Sequence, residues 1–309
     1  MITLENKGLL VELCEPGEYY KGTRFDHAGV FRRIVKEGYA YADEWFDHSD
    51  PFRHDRVCGL SEEFVTVEFA PDRLFCKPGE LFCKPGVGLL RRPDDAPYDW
   101  FRLYEVAEPG WWEICTKGLP SCSAVYTHHL PGWYDYSKRI SLPDGESIVI
   151  EHTMRWQAPQ PLEGFFYNHN FFTFGGVAVG PSRKIAFPWK PSGDWRSRYD
   201  NVAFTKDGIE FSAPVAPGTS VYCGNIHNAS GPTECRFSIS DASSAVDAPA
   251  VDACTLRRVE VCGDRPLHHI VFWSNDRVAC IEPYLPLRIL PGETLRWSFR
   301  YRFDGQLTD

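Results

Sequence analysis

Residues 294–303 read TLRWSFRYRF, and this segment separates its apolar from its polar side chains only when it is extended. Leu295, Trp297, Phe299, Tyr301 and Phe303 alternate with Thr294, Arg296, Ser298, Arg300 and Arg302. Side chains two apart share one face of a strand, so the segment is a half-buried antiparallel strand with an aromatic inner face. Pro291-Gly292 supplies the turn that introduces it.

The same signal recurs along the chain, with almost no helical period. VFRRIVKEGYAYADEW reads as two strands around a turn at Lys36–Gly38, and LYEVAEPGWWEICTKG as two around Glu108–Gly110. AVYTH, DYSKRISL, SIVIEHTMRW, RFSIS, TLRRVEVC, HHIVFW and VACIE follow the same pattern. LFCKPG, at 74–79 and again at 81–86, is too short for a structural repeat and reads as two successive turn units. ISDASSAVDAPAVDACT is small and polar and suits a surface loop. With no sharp boundary in 309 residues, the expectation is an all-β chain, one large antiparallel β-sandwich over 1–309.

Composition narrows the partners. Aromatics make up 15%, which favours strands and sugar-stacking surfaces. A net charge of −9 without a basic stripe argues against nucleic acid. The start MITLENKGLLVELCEPGEYY has no basic segment leading into an apolar run, and no stretch is apolar for long enough to span a membrane. A soluble cytoplasmic protein is expected, and its 11 cysteines, none in a C-x-x-C pair, read as reduced thiols. Cys83, beside Lys84, is weighed as a nucleophile and reads as a core thiol.

The chemistry concentrates in two places. His128-His129 and His268-His269 are adjacent pairs that point to opposite faces of a strand, which does not suit a shared metal. Nucleophile-elbow, P-loop and dinucleotide glycine patterns are missing. What remains is EGFFYNHNFFTF (163–174) and ACIEPYLPLRILPGE. In the first, Phe165, Tyr167, His169, Phe171 and Thr173 share one face, and Asn168 and Asn170 take the other. In the second, Glu282 follows apolar residues and precedes Pro283, which biases it to extended backbone. A carboxylate so placed is partly desolvated and its pKa rises towards general-base values; the structural alternative is a rim glutamate at a turn. An acid and a base on different strands of an aromatic cleft are what ring opening of a sugar hemiacetal requires.

Five segments, GTRFDHAGVF, CGLSEEF, LFCKPGVGLL, YNHNFF and CIEPYLPLRILPGETLRWSFRYRF, together resemble the galactose mutarotase/aldose 1-epimerase superfamily, in particular a bacterial aldose-epimerase-like branch, from about residue 15 to the C-terminus. The resemblance implies a β-supersandwich with a sugar in a cleft on its concave face and neither cofactor nor metal. It implies His169 as the acid acting on the ring oxygen and Glu282 as the base at the anomeric hydroxyl. The chain departs from the pattern where many mutarotases carry a second histidine: the comparable region reads FRHDRVCGLSEEF…FCKPGVG. Lys84, His54 and Arg56 are candidates to replace it. Of Glu62 and Glu63 one is expected to face the cleft, and Trp273 is a candidate stacking platform. The function expected is a sugar mutarotase or epimerase; the rivals are a carbohydrate-binding protein without turnover and a keto-sugar or uronate isomerase. The expected partner is a small carbohydrate, and the sequence is compatible with a homodimer.

Overall fold

The computed structural model describes residues 1–66, 76–118, 121–242 and 256–304. Among these there is no helix. Six strands form one sheet in the order Pro191–Trp195, Val221–Asn228, His269–Ser274, Ala279–Ile289, Leu162–Phe171 and Gly59–Val65. Ten form the larger sheet: Val202–Phe204, Gly208–Phe211, Arg183–Ala186, Arg236–Asp241, Arg257–Gly263, Thr294–Asp304, Ser147–Trp156, Tyr134–Ser141, Ser123–Leu130 and, at its edge, Trp111–Lys117. The pairings in both are antiparallel. An N-terminal four-stranded sheet (2–42) and a three-stranded one (81–108) complete the fold.

The alternation expected of Thr294–Asp304 holds: Trp297, Phe299, Tyr301 and Phe303 are buried and Arg296, Arg300 and Arg302 exposed. Their rings pack on the inner face of the six-stranded sheet, where Phe166 meets Phe64 at 5.0 Å, Trp297 at 5.1 Å and Phe299 at 6.2 Å between centroids. The Lys36–Gly38 turn joins two paired strands, with Glu37 and Gly38 both at positive φ. The two strands around Glu108–Gly110 exist but do not pair with each other. Glu105–Glu108 joins the three-stranded sheet and Trp111–Lys117 the ten-stranded one. Pro109 between them has no N–H to donate, and its carbonyl is taken by His128 Nε2 at 2.7 Å. Gly110, at φ 64°, passes so close to the His129 carbonyl that any side chain would collide with it. The first LFCKPG copy begins outside the described residues, and most of the small polar segment lies outside them too.

The strand Leu162–Phe171 is central because it separates two environments. Phe166, Asn168, Asn170 and Phe172 face the layer between the sheets; Tyr167, His169 and Phe171 face outward from it. Gly59–Val65 pairs with it so that Asn168 lies opposite Glu62, Tyr167 opposite Glu63 and His169 opposite Ser61. Emptying the inner layer at Phe166 removes a fully buried ring and leaves a cavity. Phe166→Ala is expected to cost about 3–5 kcal/mol, read as a lower denaturation midpoint with an unchanged slope.

Candidate active site

On the outer face of the six-stranded sheet lies a cavity of about 430 Å³, the size of an ordinary small-molecule site. His169 reaches it from the middle of its strand, and Glu282 from the adjacent strand Ala279–Ile289, whose Glu282 in turn lies opposite Val271. His169 Nε2 and Glu282 Oε1 are 3.2 Å apart. The imidazole is clamped by a parallel stack on Phe171 at 4.0 Å and by the edge-on ring of Phe25 at 5.8 Å. Its other nitrogen, Nδ1, is buried with no hydrogen-bond partner among the described residues.

Burial sets the charges here. It pushes the Glu282 carboxyl up to about 8, against the pull of the Arg24 guanidinium. It also pushes His169 well below its ordinary value, and Arg24 adds to that fall. Near neutral pH both groups are therefore favoured uncharged, and the pair holds one proton that either partner can release. Such a pair can give a proton to one atom while taking a proton from another.

Arg24 forms the polar wall. It comes from the loop after Tyr20, whose hydroxyl accepts the backbone N–H groups of Arg24 and Phe25 at 3.1 and 3.2 Å. Arg24 donates from Nε to Glu63 Oε2 at 2.8 Å and from Nη2 to the Tyr167 hydroxyl at 2.9 Å. Tyr167 donates to the same carboxylate oxygen at 2.6 Å, and Lys84 Nζ donates to Glu63 Oε1 at 2.8 Å. Burial alone would raise the Glu63 pKa; Lys84 and Arg24 outweigh it and hold the carboxyl below its ordinary value. Two cations and a phenol thus share one fully buried carboxylate.

The expected site residues divide clearly. His169, Glu282, His54 and Trp273 all line the cavity. His54 packs edge-on to Phe101 at 4.6 Å, and Trp273 stands across Trp45 at 5.7 Å and His169 at 5.9 Å. Lys84, Glu63, Glu62 and Arg56 do not line it; this corrects the expectation for Lys84 and Arg56, whereas of the two glutamates only one was expected on the cleft side. Lys84 is 1% exposed and spends its ammonium on Glu63 and the Phe64 carbonyl. Glu63 is on the cleft side, as one of the two carboxylates was expected to be, but it stands behind Arg24. Glu62 points between the sheets, 2.7 Å from Lys138 and 3.2 Å from His152, and accepts from Asn168 Nδ2 at 2.6 Å. Arg56 bonds the His48 carbonyl and lies over the rings of Tyr19 and Phe46. Cys83 is a buried thiol whose pKa burial raises.

Sequence reasoning missed Arg24, Trp45, Trp100, Phe101, Tyr284 and Arg196. In GTRFD the chain bends over residues 23–25, so the neighbours Arg24 and Phe25 both reach the cavity, while Asp26 accepts from the Tyr136 hydroxyl at 2.9 Å inside the sandwich. Trp45, Trp100 and Phe101 come from loops whose path no periodicity reports, while Tyr284 sits two residues beyond Glu282 on the same strand and so shares its face. Among the described residues no cluster of three or more histidines, cysteines or carboxylates could hold a metal ion, and no helix is long and apolar enough to cross a membrane.

No family model and no curated protein sequence matches the chain. Solved structures do. A galactose mutarotase-related enzyme from Lactobacillus acidophilus superposes with TM-score 0.57 at 10% identity over 99% of this chain and 98% of that one. A galactose mutarotase-like protein from Lactobacillus casei gives 0.54 at 12% over 98% and 100%. A protein of Escherichia coli K12 provisionally assigned as an aldose 1-epimerase gives 0.55 at 13% over 99% of both chains. The chain therefore has the galactose mutarotase-like fold, an antiparallel β-supersandwich, as its sequence resemblance implied.

Two stability measurements test this electrostatic description. Removing the carboxylate in Glu63→Ala leaves two cations with no counter-charge in the interior, and a loss of about 3–5 kcal/mol is expected on chemical denaturation. Glu282 has a folded pKa raised above its ordinary 4.5, to about 8. Its contribution to stability is complete below the ordinary value and is lost as pH rises towards 8. The melting temperature of Glu282→Gln minus that of wild type is expected to grow between pH of about 5 and about 8; a gap that is flat or shrinks with pH contradicts the raised pKa.

Proposed function

We propose that the protein is a cofactor-independent sugar mutarotase or epimerase that opens and recloses a cyclic hemiacetal by acid–base chemistry. The observation that carries this reading is the His169–Glu282 pair, 3.2 Å apart in an aromatic cavity. The ring oxygen and the anomeric hydroxyl of a hemiacetal are bonded to one carbon, so they lie close enough for one such pair to serve both. The shared proton passes from Glu282 to His169 Nε2, 3.2 Å away; the carboxylate so formed takes the proton of the anomeric hydroxyl while the imidazolium gives its proton to the ring oxygen. The bond from the anomeric carbon to the ring oxygen breaks, leaving an open-chain aldehyde. Rotation about the next carbon–carbon bond presents the other carbonyl face, and the reverse transfers close the opposite anomer. Because the pair ends with the proton count it began with, either direction starts from the same enzyme.

The surroundings support a sugar. Trp273, Trp45, Trp100 and Phe101 offer ring faces and edges to the apolar C–H surfaces of a pyranose. Arg24 and Asn275 offer donors to hydroxyls. Arg24 acts through position: its tie to Glu63 and Tyr167 holds the guanidinium against the cavity whether or not ligand is bound. The placement of Lys84 favours a second reading, a carbohydrate-binding protein without turnover, because the residue standing nearest the missing histidine in sequence is turned away from the cavity.

Saturation-transfer NMR on a panel of aldoses and their uronate and phosphate derivatives separates the two. Acceleration of anomer exchange is expected for wild type, and Glu282→Gln and His169→Asn are each expected to lose at least about 100-fold. Binding of a sugar with no acceleration by wild type supports the second reading and overturns the first. The one-proton pair also sets a pH profile. Above the Glu282 pKa of about 8 the acid is gone, so kcat/KM is expected to fall on the alkaline side near that value.

A further inference from the structure

The edge strand Trp111–Lys117 of the ten-stranded sheet is exposed on both of its faces, including Trp111 at 51% and Ile114 at 37%. We infer that this strand pairs with the same strand of a second copy about a two-fold axis through Cys115, joining the two ten-stranded sheets into one.

The direction of its backbone groups follows from the neighbouring turns. The Lys117 carbonyl accepts from Cys122 N–H at 2.9 Å, so it points inward, towards the Ser123–Leu130 strand. On that strand the Leu130 carbonyl accepts from Trp133 N–H at 3.0 Å and so points the other way, away from the edge strand. Both facts give one phase: Trp111, Glu113, Cys115 and Lys117 spend their N–H and C=O groups on the sheet. Trp112, Ile114 and Thr116 direct theirs outward, and among the described residues no strand takes them. A free row of this kind is a template for another strand.

Charge selects the occupant and the register. In an antiparallel pair of identical strands with Cys115 on the axis, Ile114 and Thr116 exchange hydrogen bonds across the edge. Glu113 then lies opposite Lys117 of the partner subunit, and the reciprocal pair repeats on the other side of the axis. These are non-hydrogen-bonded positions, where side chains stand closest. Sliding by one step pairs Glu113 with Cys115. Sliding by a further step, in either direction, opposes Glu113 to itself or Lys117 to itself, which is repulsive. Among the described residues the one ion-pair contact of Glu113 is to His129 Nε2, at 3.9 Å, and Lys117 has none. The seven-residue strand is thus complementary to its own antiparallel copy in one register.

Sedimentation equilibrium on the full chain tests this. Wild type is expected to show a concentration-dependent monomer–dimer equilibrium. Glu113→Lys and Lys117→Glu, each creating like-charge pairs, are each expected to weaken the dimer about tenfold or more. The double exchange Glu113→Lys with Lys117→Glu is expected to restore it to within about threefold. Cys115 reports the axis: in a non-hydrogen-bonded pair the two Cα atoms stand about 4.5 Å apart, within disulfide range. Copper phenanthroline, which accepts two electrons as the two thiols release two protons, is expected to crosslink wild type into a dimer on non-reducing gels. Cys115→Ser is expected to abolish the crosslink while leaving the sedimentation dimer intact. A monomer at every concentration, charge reversals without effect, or a crosslink through another cysteine each overturns the assignment. None of these residues touches the cavity, so the outcome is independent of the catalytic reading.

Discussion

Everything in this molecule that has chemical interest depends on the pleat of one strand. Leu162–Phe171 sends successive side chains to opposite faces, and its neighbour Gly59–Val65 does the same in register. Two adjacent glutamates and three adjacent polar residues are therefore sorted into two separate networks. On the inner side Asn168 meets Glu62, Lys138 supplies the counter-charge, and His152 stands 3.2 Å away. On the outer side Tyr167 meets Glu63, which holds Arg24 and Lys84, while His169 meets Glu282. A register slip of one residue would exchange the two sets and place His169 in the hydrophobic layer.

The sheet face carrying His169 has two kinds of buried carboxyl, and the difference between them is partner count. Glu63 has two cations and a phenol within hydrogen-bond distance, and it stays ionised in full burial. Glu282 has a neutral imidazole beside it and a more distant arginine, and burial wins. The first arrangement is fixed and holds a wall in place. The second is poised to exchange a proton. Sequence alone separates these roles poorly, because both residues follow apolar or polar neighbours in a strand and only the third dimension supplies the cations.

Strand periodicity made the fold legible: Thr294–Asp304 shows the alternation, and His169 and Glu282 reach one cavity because each has a defined face. Asn168 and Asn170 turn away from it, as alternation requires. Legibility failed wherever a side chain's direction was set by contact instead of by pleat. Lys84 follows a strand core and could have faced the cleft, but the Glu63 carboxylate captures it. Arg56 lies in a loop, and its direction is decided by the rings of Tyr19 and Phe46. Arg24 went unrecognised for the same reason, since its aim is fixed by Glu63 and Tyr167, far off in sequence. The turn at Glu108–Gly110 looked like a hairpin because local turn chemistry does not say which sheet the outgoing strand will join.

The loop that carries Arg24 is anchored on its far side as well. Asp26 accepts from the Tyr136 hydroxyl, and the Ala28 carbonyl accepts from Lys138, both on the ten-stranded sheet. One wall of the cavity is thus fastened to the opposite layer, while His169 and Glu282 belong to the nearer one. The Arg24 guanidinium itself is held by Glu63 and Tyr167 of that nearer sheet, so the short segment from Arg24 to Ala28 bridges the two layers. Shifting one layer against the other would strain this segment, so the packing of the hydrophobic interior bears on the cavity wall that Arg24 forms as well as on the sheet that carries His169.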